Sequence, residues 1–151
     1  MTVGDSSAAG RHYRVDLLRL QESCELNYAC LSRLLPSMAS QGCRLALRWQ
    51  AQALGVVSLE VTGASRYTST IRLRQEQALP WLPVPTLDVR AYHDAHMAEV
   101  VAAQNSRRLL ARYPYPNACM HQPDEKSQLN LFLGEWLRHC LACGNEIEPA
   151  V

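Results

Sequence analysis

The densest group of side chains that could do chemistry is the segment Tyr92-His93-Asp94-Ala95-His96, which Glu99 follows. His93, His96 and Glu99 are spaced by three, so on a continuous helix they would share one side and offer a divalent metal two imidazoles and a carboxylate. Asp94 competes with this arrangement, because its carboxylate suits the N-cap of a helix. Capping would leave His93 outside the helix and break the spacing. We therefore expect no metal here.

Two pairs of soft ligands form a second possible metal site. The pairs are Cys119-x-His121 and Cys140-x-x-Cys143, and this set of side chains is typical of structural zinc. One pair precedes the predicted last helix and the other lies near its end, so roughly 30 Å separates them at ~1.5 Å per residue. We therefore predict no metal and no cofactor. The six cysteines are interpreted as reduced, mostly buried thiols.

Arginines on predicted strands are the third group, because a guanidinium on a sheet face can hold a phosphate or carboxylate with two hydrogen bonds. They are Arg66, Arg72, Arg74, Arg90, Arg107, Arg108 and Arg112. The alternative, which we favour, is that they pair with carboxylates on neighbouring strands, such as Glu60, Glu76 and Asp88. The sequence has no glycine-rich phosphate loop and no Gly-x-Ser-x-Gly turn, so known catalytic signatures are absent.

Hydrophobic periodicity predicts the elements that position these groups. Apolar residues from Asp16 to Leu35 recur every three or four positions, as on one face of a helix, and Pro36 ends it. Alternation of apolar and polar residues then predicts strands over 43–49, 57–61 and 67–73. Their short glycine-containing links, 52–55 and 63–65, favour an antiparallel meander.

The second half of the chain alternates strands with helices. The pattern predicts a fourth strand over 87–91, after a proline-rich connection. It then predicts a short helix over 95–104 and a fifth strand over 109–113. The clearest pattern is the last helix, 124–143, with a broad apolar stripe that includes Trp136 and with Gly144 at its end.

These elements predict an α+β fold. We expect an antiparallel sheet of about five strands, with an N-terminal helix, a short helix and a long C-terminal helix packed on one face. We expect a flexible tail over residues 1–13, a single domain over 14–144 and a C-terminal tail over 145–151.

Composition narrows the class of protein. The chain has 151 residues, of which 48% are hydrophobic and 19% charged, and its net charge is +1. These values are typical of a folded globular domain and argue against a nucleic-acid partner, which would need a basic field or patch. No apolar run approaches the ~20 residues of a membrane span and no signal peptide is recognisable, so we expect a cytoplasmic protein with no membrane partner.

Several short polar motifs together resemble those of the YqiB-like family, small bacterial proteins that form a domain of unknown function. The motifs are Arg66-Tyr67-Thr68, Tyr92-His93-Asp94-Ala95, Ala98-Glu99-Val100, Tyr115-Pro116-Asn117, His121-Gln122 and Asp124-Glu125-Lys126. The resemblance runs from about Asp16 to Gly144 and implies no activity or ligand. His96, Cys119 and Cys143 are not part of the family pattern, which weakens both metal hypotheses.

The family motifs concentrate around His93 and in the loop before the last helix, and residues at such element ends commonly bind or catalyse. The predicted ligand-binding residues are Arg66, Tyr67, Tyr92, His93, Asp94, Arg112, His121 and Asp124. We favour a non-catalytic binding or adaptor module for an anionic small molecule or a protein partner. The alternatives are a hydrolase with histidine and aspartate as acid and base and arginine stabilising charge, or a purely structural capping network.

Overall fold

The elements of the chain form an α+β architecture, as predicted. A computed structural model describes residues 3–39, 42–50, 52–76, 86–104 and 122–147. Its elements are α1 (Val3–Leu34), β1 (Cys43–Trp49), β2 (Gln52–Ala64), β3 (Thr68–Gln75), β4 (Thr86–Tyr92), β5 (Met97–Gln104), α2 (Gln122–Cys143) and β6 (Gly144–Ile147). Helix α1 therefore begins at Val3, within the segment that the sequence predicted to be a flexible tail.

The sheet is an antiparallel meander with one added edge strand. Its order is β5-β4-β3-β2-β1-β6, and every neighbouring pair runs antiparallel. The described part of the chain thus contributes six strands to the sheet where about five were expected. The four strands predicted over 43–91 are confirmed, although β2 is longer than predicted and β3 begins at Thr68.

Both helices pack on one face of the sheet and share one hydrophobic core with it. The buried apolar side chains of this core include Leu31 from α1 and Leu35 directly after it, Leu133, Trp136 and Leu137 from α2, and Leu59, Ile71, Leu73, Val89 and Val100 from the sheet. Removal of this apolar surface from water is the main stabilising contribution. The predicted stripe of the last helix is confirmed.

Two buried asparagines connect the helices to β5. Asn27 on α1 donates from Nδ2 to the carbonyl oxygen of Asn130 on α2 at 3.2 Å. The Oδ1 of Asn130 accepts from the backbone N–H of Val100 at 3.0 Å. Because both side chains are buried, these hydrogen bonds fix the position of α1 and α2 on the sheet.

The segment predicted as a short helix, 95–104, is strand β5. Residues 93–96 form a turn, and His96 within it has a φ of 53°. The register passes from the pair Val89 and Val100 to the pair Asp88 and Ala102, so Val101 is an extra residue in a β-bulge. The bulge interrupts the alternation of apolar residues and leaves Met97, Val100 and Val101 at helix-like spacing.

Strand β6 lies in the segment that was predicted to be a C-terminal tail. It follows α2 without a loop and pairs with β1 at the edge of the sheet. Gly144 is needed at this junction, because a Cβ there would clash with the carbonyl oxygen of Cys140. The predicted end of the helix at Gly144 is confirmed, but the chain continues as a strand.

The turn between β1 and β2 lies earlier in the chain than the predicted glycine-containing link, residues 52–55. The pair Trp49 and Gln52 closes it, and Gln50 takes a φ of 52°. Gly55 lies inside β2, beside the irregularity in register at Leu47 and Arg48. The predicted proline-rich connection and the predicted fifth strand, 109–113, lie outside the described residues.

Candidate functional site

One end of the sheet brings together five of the residues predicted for the site. The loop before β3 carries Arg66 and Tyr67, and the end of β4 carries Tyr92, His93 and Asp94. The backbone N–H of His93 donates to the carbonyl oxygen of Tyr67 at 2.9 Å. The guanidinium of Arg66 lies 5.3 Å from the ring centroid of Tyr67, within cation–π distance.

The imidazole of His93 uses both ring nitrogens in hydrogen bonds. Nε2 lies 2.8 Å from Ser69 Oγ and Nδ1 lies 3.0 Å from Tyr28 Oη. Ser69 donates its own proton to the carbonyl oxygen of Met38, so its oxygen accepts from Nε2–H. His93 connects α1, β3 and the turn after β4 through these two hydrogen bonds.

The polar contact of Asp94 is local. Asp94 lies in the exposed turn, where its Oδ1 accepts from the N–H of Ala95 at 3.0 Å. This contact belongs to a turn and not to a helix N-cap. Asp124 lies in the first turn of α2, whereas Arg112 and His121 lie outside the described residues.

Tyr92 belongs to a charged group between β5 and α2. Its Oη donates to Glu99 at 2.9 Å, and the Nζ of Lys126 lies 2.9 Å from the other oxygen of Glu99. Burial works to raise the pKa of Glu99, but the hydrogen bonds from Lys126 and Tyr92 outweigh it and hold the pKa below its ordinary value. The hydrogen bond to Glu99 raises the pKa of Lys126, and burial with the same hydrogen bond raises that of Tyr92.

Charged side chains cover the second face of the sheet, which we define as the face opposite the helices. Arg72 on β3 pairs with Asp88 on β4 at 2.9 Å, as the favoured interpretation of the arginines predicted. Arg44 on β1 donates from Nε and Nη2 to one oxygen of Glu76 at 2.9 and 2.6 Å. Cross-strand pairing thus neutralises part of this face.

A concave site lies on the second face where β1, β2 and β3 meet, and it has a volume of about 360 Å³. The side chains of the second face that line it are Arg44, Ser58, Glu60, Arg74, Glu76 and Ile147. Cys43, Leu59 and Glu146 also line it, but the register places their side chains on the helix side of the sheet, with Leu45. We call it the β1–β3 cavity. The register places Ser58 directly between Arg44 on one side and Arg74 on the other.

Ser58 is the unusual residue of the β1–β3 cavity. It is only 7% exposed, and its hydroxyl oxygen is buried without a hydrogen-bond partner. A buried hydroxyl without a partner costs about 1–3 kcal/mol, so native proteins contain few of them. The position between two arginines indicates a hydroxyl that is available to a bound group.

The charges around Ser58 are only partly paired. Arg44 is engaged by Glu76, whereas Arg74 and Glu60 form no salt bridge with any described residue. The cavity can therefore supply one guanidinium, one hydroxyl and free carboxylate oxygens. These groups bind charged ligands by hydrogen bonds.

The five cysteines within the described ranges are free thiols. Burial raises the pKa of Cys24 and Cys43 to about 11 and that of Cys140 to about 12. The thiolate is the nucleophile, so these three residues are poor nucleophiles near neutral pH.

In the part of the chain that the structure describes, no three histidine, cysteine, aspartate or glutamate side chains are grouped as a metal would need. None of the helices described there has the length and apolar character required to span a bilayer.

Sequence reasoning missed the β1–β3 cavity. Ser58 and Arg44 were interpreted only as polar positions of alternating strands, and Glu146 was placed in a tail. The signal that could have found them is register, because antiparallel pairing sets polar positions of adjacent strands side by side.

Comparisons with known proteins agree with the family resemblance. The family described as "Protein of unknown function (DUF1249)" matches residues 30–146. The chain is 38% identical over 135 residues to "Uncharacterized protein YqiB" of Escherichia coli (strain K12), which covers 89% of this chain and 94% of that protein. The same identity and coverage are found for the protein of that name in Escherichia coli O157:H7. No solved structure matches significantly.

Proposed function

Since the chain belongs to the family described as "Protein of unknown function (DUF1249)", its function has to follow from its site, and we propose that it is a non-catalytic module that binds a small molecule through an anionic group. The binding site is the β1–β3 cavity. Arg74 supplies the positive charge and Ser58 supplies a hydrogen bond.

The observation that carries this proposal is the buried hydroxyl of Ser58 without a partner. A carboxylate or phosphate oxygen would accept its proton, and the same anion would take hydrogen bonds from Arg74, which has no salt bridge within the described ranges. Binding thus removes the cost of the unpaired hydroxyl, and this difference favours the bound state.

Acid–base catalysis, the hydrolase alternative, has less support. General acids and bases work best with a pKa near the operating pH. The pKa of Glu99 is held below its ordinary value, whereas those of Tyr92 and Lys126 are raised. These shifts move each pKa away from neutrality, and both ring nitrogens of His93 are already engaged.

The test is binding of inorganic phosphate and of pentanoate, measured by isothermal titration calorimetry and by the shift in thermal midpoint. We expect Arg74→Gln and Ser58→Ala to weaken binding of these anions by roughly tenfold or more each, the scale of a lost charge-assisted hydrogen bond. Arg66→Gln is the matched control, because Arg66 is an exposed arginine outside the cavity.

Stability of the unliganded variants separates this proposal from a structural role. Ser58→Ala removes an unsatisfied hydroxyl, so we expect the free energy of unfolding to rise by about 1 kcal/mol while anion binding weakens. A variant that is less stable and binds the anions as the parent does would show that Ser58 serves the fold alone.

A second candidate is an adaptor surface for a protein partner at the end of the sheet, where the sequence analysis placed its site. The observation that favours it is Tyr67, which is 54% exposed and lies beside the guanidinium of Arg66, since tyrosine and arginine dominate the energetics of many interfaces. Photo-crosslinking from position 67 and mass spectrometry would test it. Crosslinks that persist unchanged after Arg66→Ala and Asp94→Ala would argue against it.

A further inference from the structure

One cross-strand row of the β1–β3 cavity carries hydrogen-bond donors from three adjacent strands. The register sets Arg44 of β1 opposite Ser58 of β2, and Ser58 opposite Arg74 of β3. All three side chains therefore lie on the second face of the sheet. Because neighbouring strands are about 4.8 Å apart, the backbones of the two arginines lie roughly 10 Å from each other, with the Ser58 hydroxyl between them. Long arginine side chains can meet over this hydroxyl.

The salt bridge of Arg44 directs its guanidinium across β2. Glu76 follows the end of β3, and its backbone N–H donates to the carbonyl oxygen of Val56 on β2 at 2.7 Å. Arg44 reaches the carboxylate of Glu76 from β1, on the other side of β2, with Nη2 at 2.6 Å from Oε2. The guanidinium of Arg44 therefore lies near Ser58, which is two residues after Val56 in the same strand.

Arg44 is only partly used by this salt bridge. Its hydrogen bonds within the described ranges go from Nε and Nη2 to a single oxygen of Glu76. A guanidinium has five N–H donors in a fixed plane, so the two N–H groups of Nη1 remain for a ligand. The row thus offers donors from Arg44, Ser58 and Arg74.

The charges near the row leave Arg74 as its unpaired cation. Glu60 lies on the same face, two residues from Ser58 along β2 and opposite Arg72 of β3. Arg72 and Glu60 attract each other electrostatically, although the hydrogen bond of Arg72 goes to Asp88. Arg72 therefore compensates part of the charge of Glu60, whereas Arg74 has no salt bridge with a described residue.

Three donors that converge on one place select the shape of the anion. A carboxylate has two oxygens in one plane, and a single guanidinium can satisfy both of them. A phosphoryl group has three terminal oxygens in a tetrahedral arrangement and a charge of about −1.5 to −2 at pH 7. One of these oxygens can accept from Arg74, a second from Ser58 and a third from Nη1 of Arg44.

We infer that the anionic group bound in the β1–β3 cavity is a phosphoryl group, either as inorganic phosphate or as part of a small phosphate monoester, and that Arg44 is its third donor. This inference rests on the proposed function, which requires only Arg74, Ser58 and an anion of unspecified shape.

Four small anions test the inference without any variant. Inorganic phosphate and propyl phosphate carry three or more terminal oxygens, whereas dimethyl phosphate and pentanoate carry two terminal oxygens and one charge. Calorimetric titration of the full chain should show that inorganic phosphate or propyl phosphate binds roughly tenfold or more tightly than the other two, because the third oxygen adds a charge-assisted hydrogen bond. The tighter of these two ligands identifies whether the group is bound free or as an ester.

Two variants isolate the third donor. Glu76→Gln removes the carboxylate that engages Arg44, and Arg44→Gln/Glu76→Gln then removes the guanidinium without leaving that carboxylate unpaired. Relative to Glu76→Gln, the double variant should weaken propyl phosphate binding by roughly tenfold and pentanoate binding much less. Arg48→Gln should alter neither, because Arg48 is an exposed arginine of β1 outside the cavity. Circular dichroism with thermal midpoints verifies that each variant is folded.

Three outcomes would overturn the inference. If pentanoate or dimethyl phosphate binds at least as tightly as both phosphoryl ligands and depends on Arg74 and Ser58, the inference fails and the proposed function stands. A double variant that binds propyl phosphate as Glu76→Gln does, or that weakens propyl phosphate and pentanoate equally, excludes Arg44 as the third donor. If none of the four anions binds, the proposed function fails together with the inference.

Discussion

At the scale of single residues, the side chain of His93 links two elements by hydrogen bonds. Tyr28 on α1 and Ser69 on β3 each bond one of its ring nitrogens. We expect His93→Ala to lower the free energy of unfolding by about 2 kcal/mol, because both partners lose a hydrogen bond in a partly buried place. Urea denaturation measures this loss.

His139→Ala provides the comparison for His93, because His139 is an exposed histidine on α2. A change below about 0.5 kcal/mol is expected there, as for most surface substitutions. Equal losses for the two variants would contradict the special role of His93.

The buried thiols allow a second prediction at this scale. Burial holds the pKa of Cys24, Cys43 and Cys140 at about 11 to 12, so little thiolate forms near pH 8. We expect iodoacetamide to leave these three residues unmodified in the folded protein and to modify them in urea. Peptide mass spectrometry reads out each position, and rapid native labelling of Cys140 would contradict the packing of α2.

At the scale of elements, the ion pair of Glu99 and Lys126 joins β5 to α2. The folded-state pKa of Glu99 lies below the ordinary value of 4.5, so Glu99 contributes stability above that pH and loses it as pH falls through the folded-state pKa. We expect Glu99→Gln to be less stable than the parent at pH 7 and the difference to vanish at acid pH.

Denaturant titrations from pH 7 down to about pH 3 measure this dependence. Glu125→Gln is the control, since Glu125 is an exposed carboxylate one residue from Lys126. A stability difference between the parent and Glu99→Gln that stays constant with pH would exclude the ion pair as its source.

Helix α2 contributes Leu133, Trp136, Leu137 and Cys140 to the core, and Trp136 is the largest of these side chains. It is 6% exposed, and its ring lies 5.5 Å from that of Phe132. We expect Trp136→Ala to lower the free energy of unfolding by about 3–5 kcal/mol, the usual cost of removing a buried aromatic. Leu131→Ala, on the exposed side of the same helix, should cost little, and a loss below about 1 kcal/mol for Trp136→Ala would contradict its burial.

Elements in which apolar residues recur without interruption at the spacing of a helix or a strand were predictable from the sequence. Strand β1 matches its prediction over Cys43–Trp49, because buried Leu45 and Leu47 alternate with more exposed neighbours. Strand β5 was predicted as a helix because the bulge at Val101 hides its alternation and Asp94 has the residue type of a helix N-cap. Strand β6 has only four residues, and its conformation depends on the edge of β1, which no local pattern reveals.

At the scale of the whole molecule, the pairing of strands determines which polar residues become neighbours. Arg66, Tyr67, Tyr92 and His93 lie at one end of the sheet because the pairing of β3 with β4 sets Thr68 opposite Tyr92. The β1–β3 cavity was not predictable, since it combines Arg44, Ser58 and Arg74 with Ile147 from the distant β6. Periodicity identifies the face of a residue but does not identify its cross-strand neighbour.

The pairing of β6 with β1 has a consequence for how the protein folds during synthesis. The two strands are about a hundred residues apart in the chain, and contacts at such separation form late. Until β6 arrives, β1 offers unpaired backbone groups to any other extended chain, which is a known route to aggregation. We expect a chain that stops at Cys143 to self-associate at concentrations where the full chain stays monodisperse, as analytical ultracentrifugation would show; equal behaviour of both would mean that β6 does not protect β1.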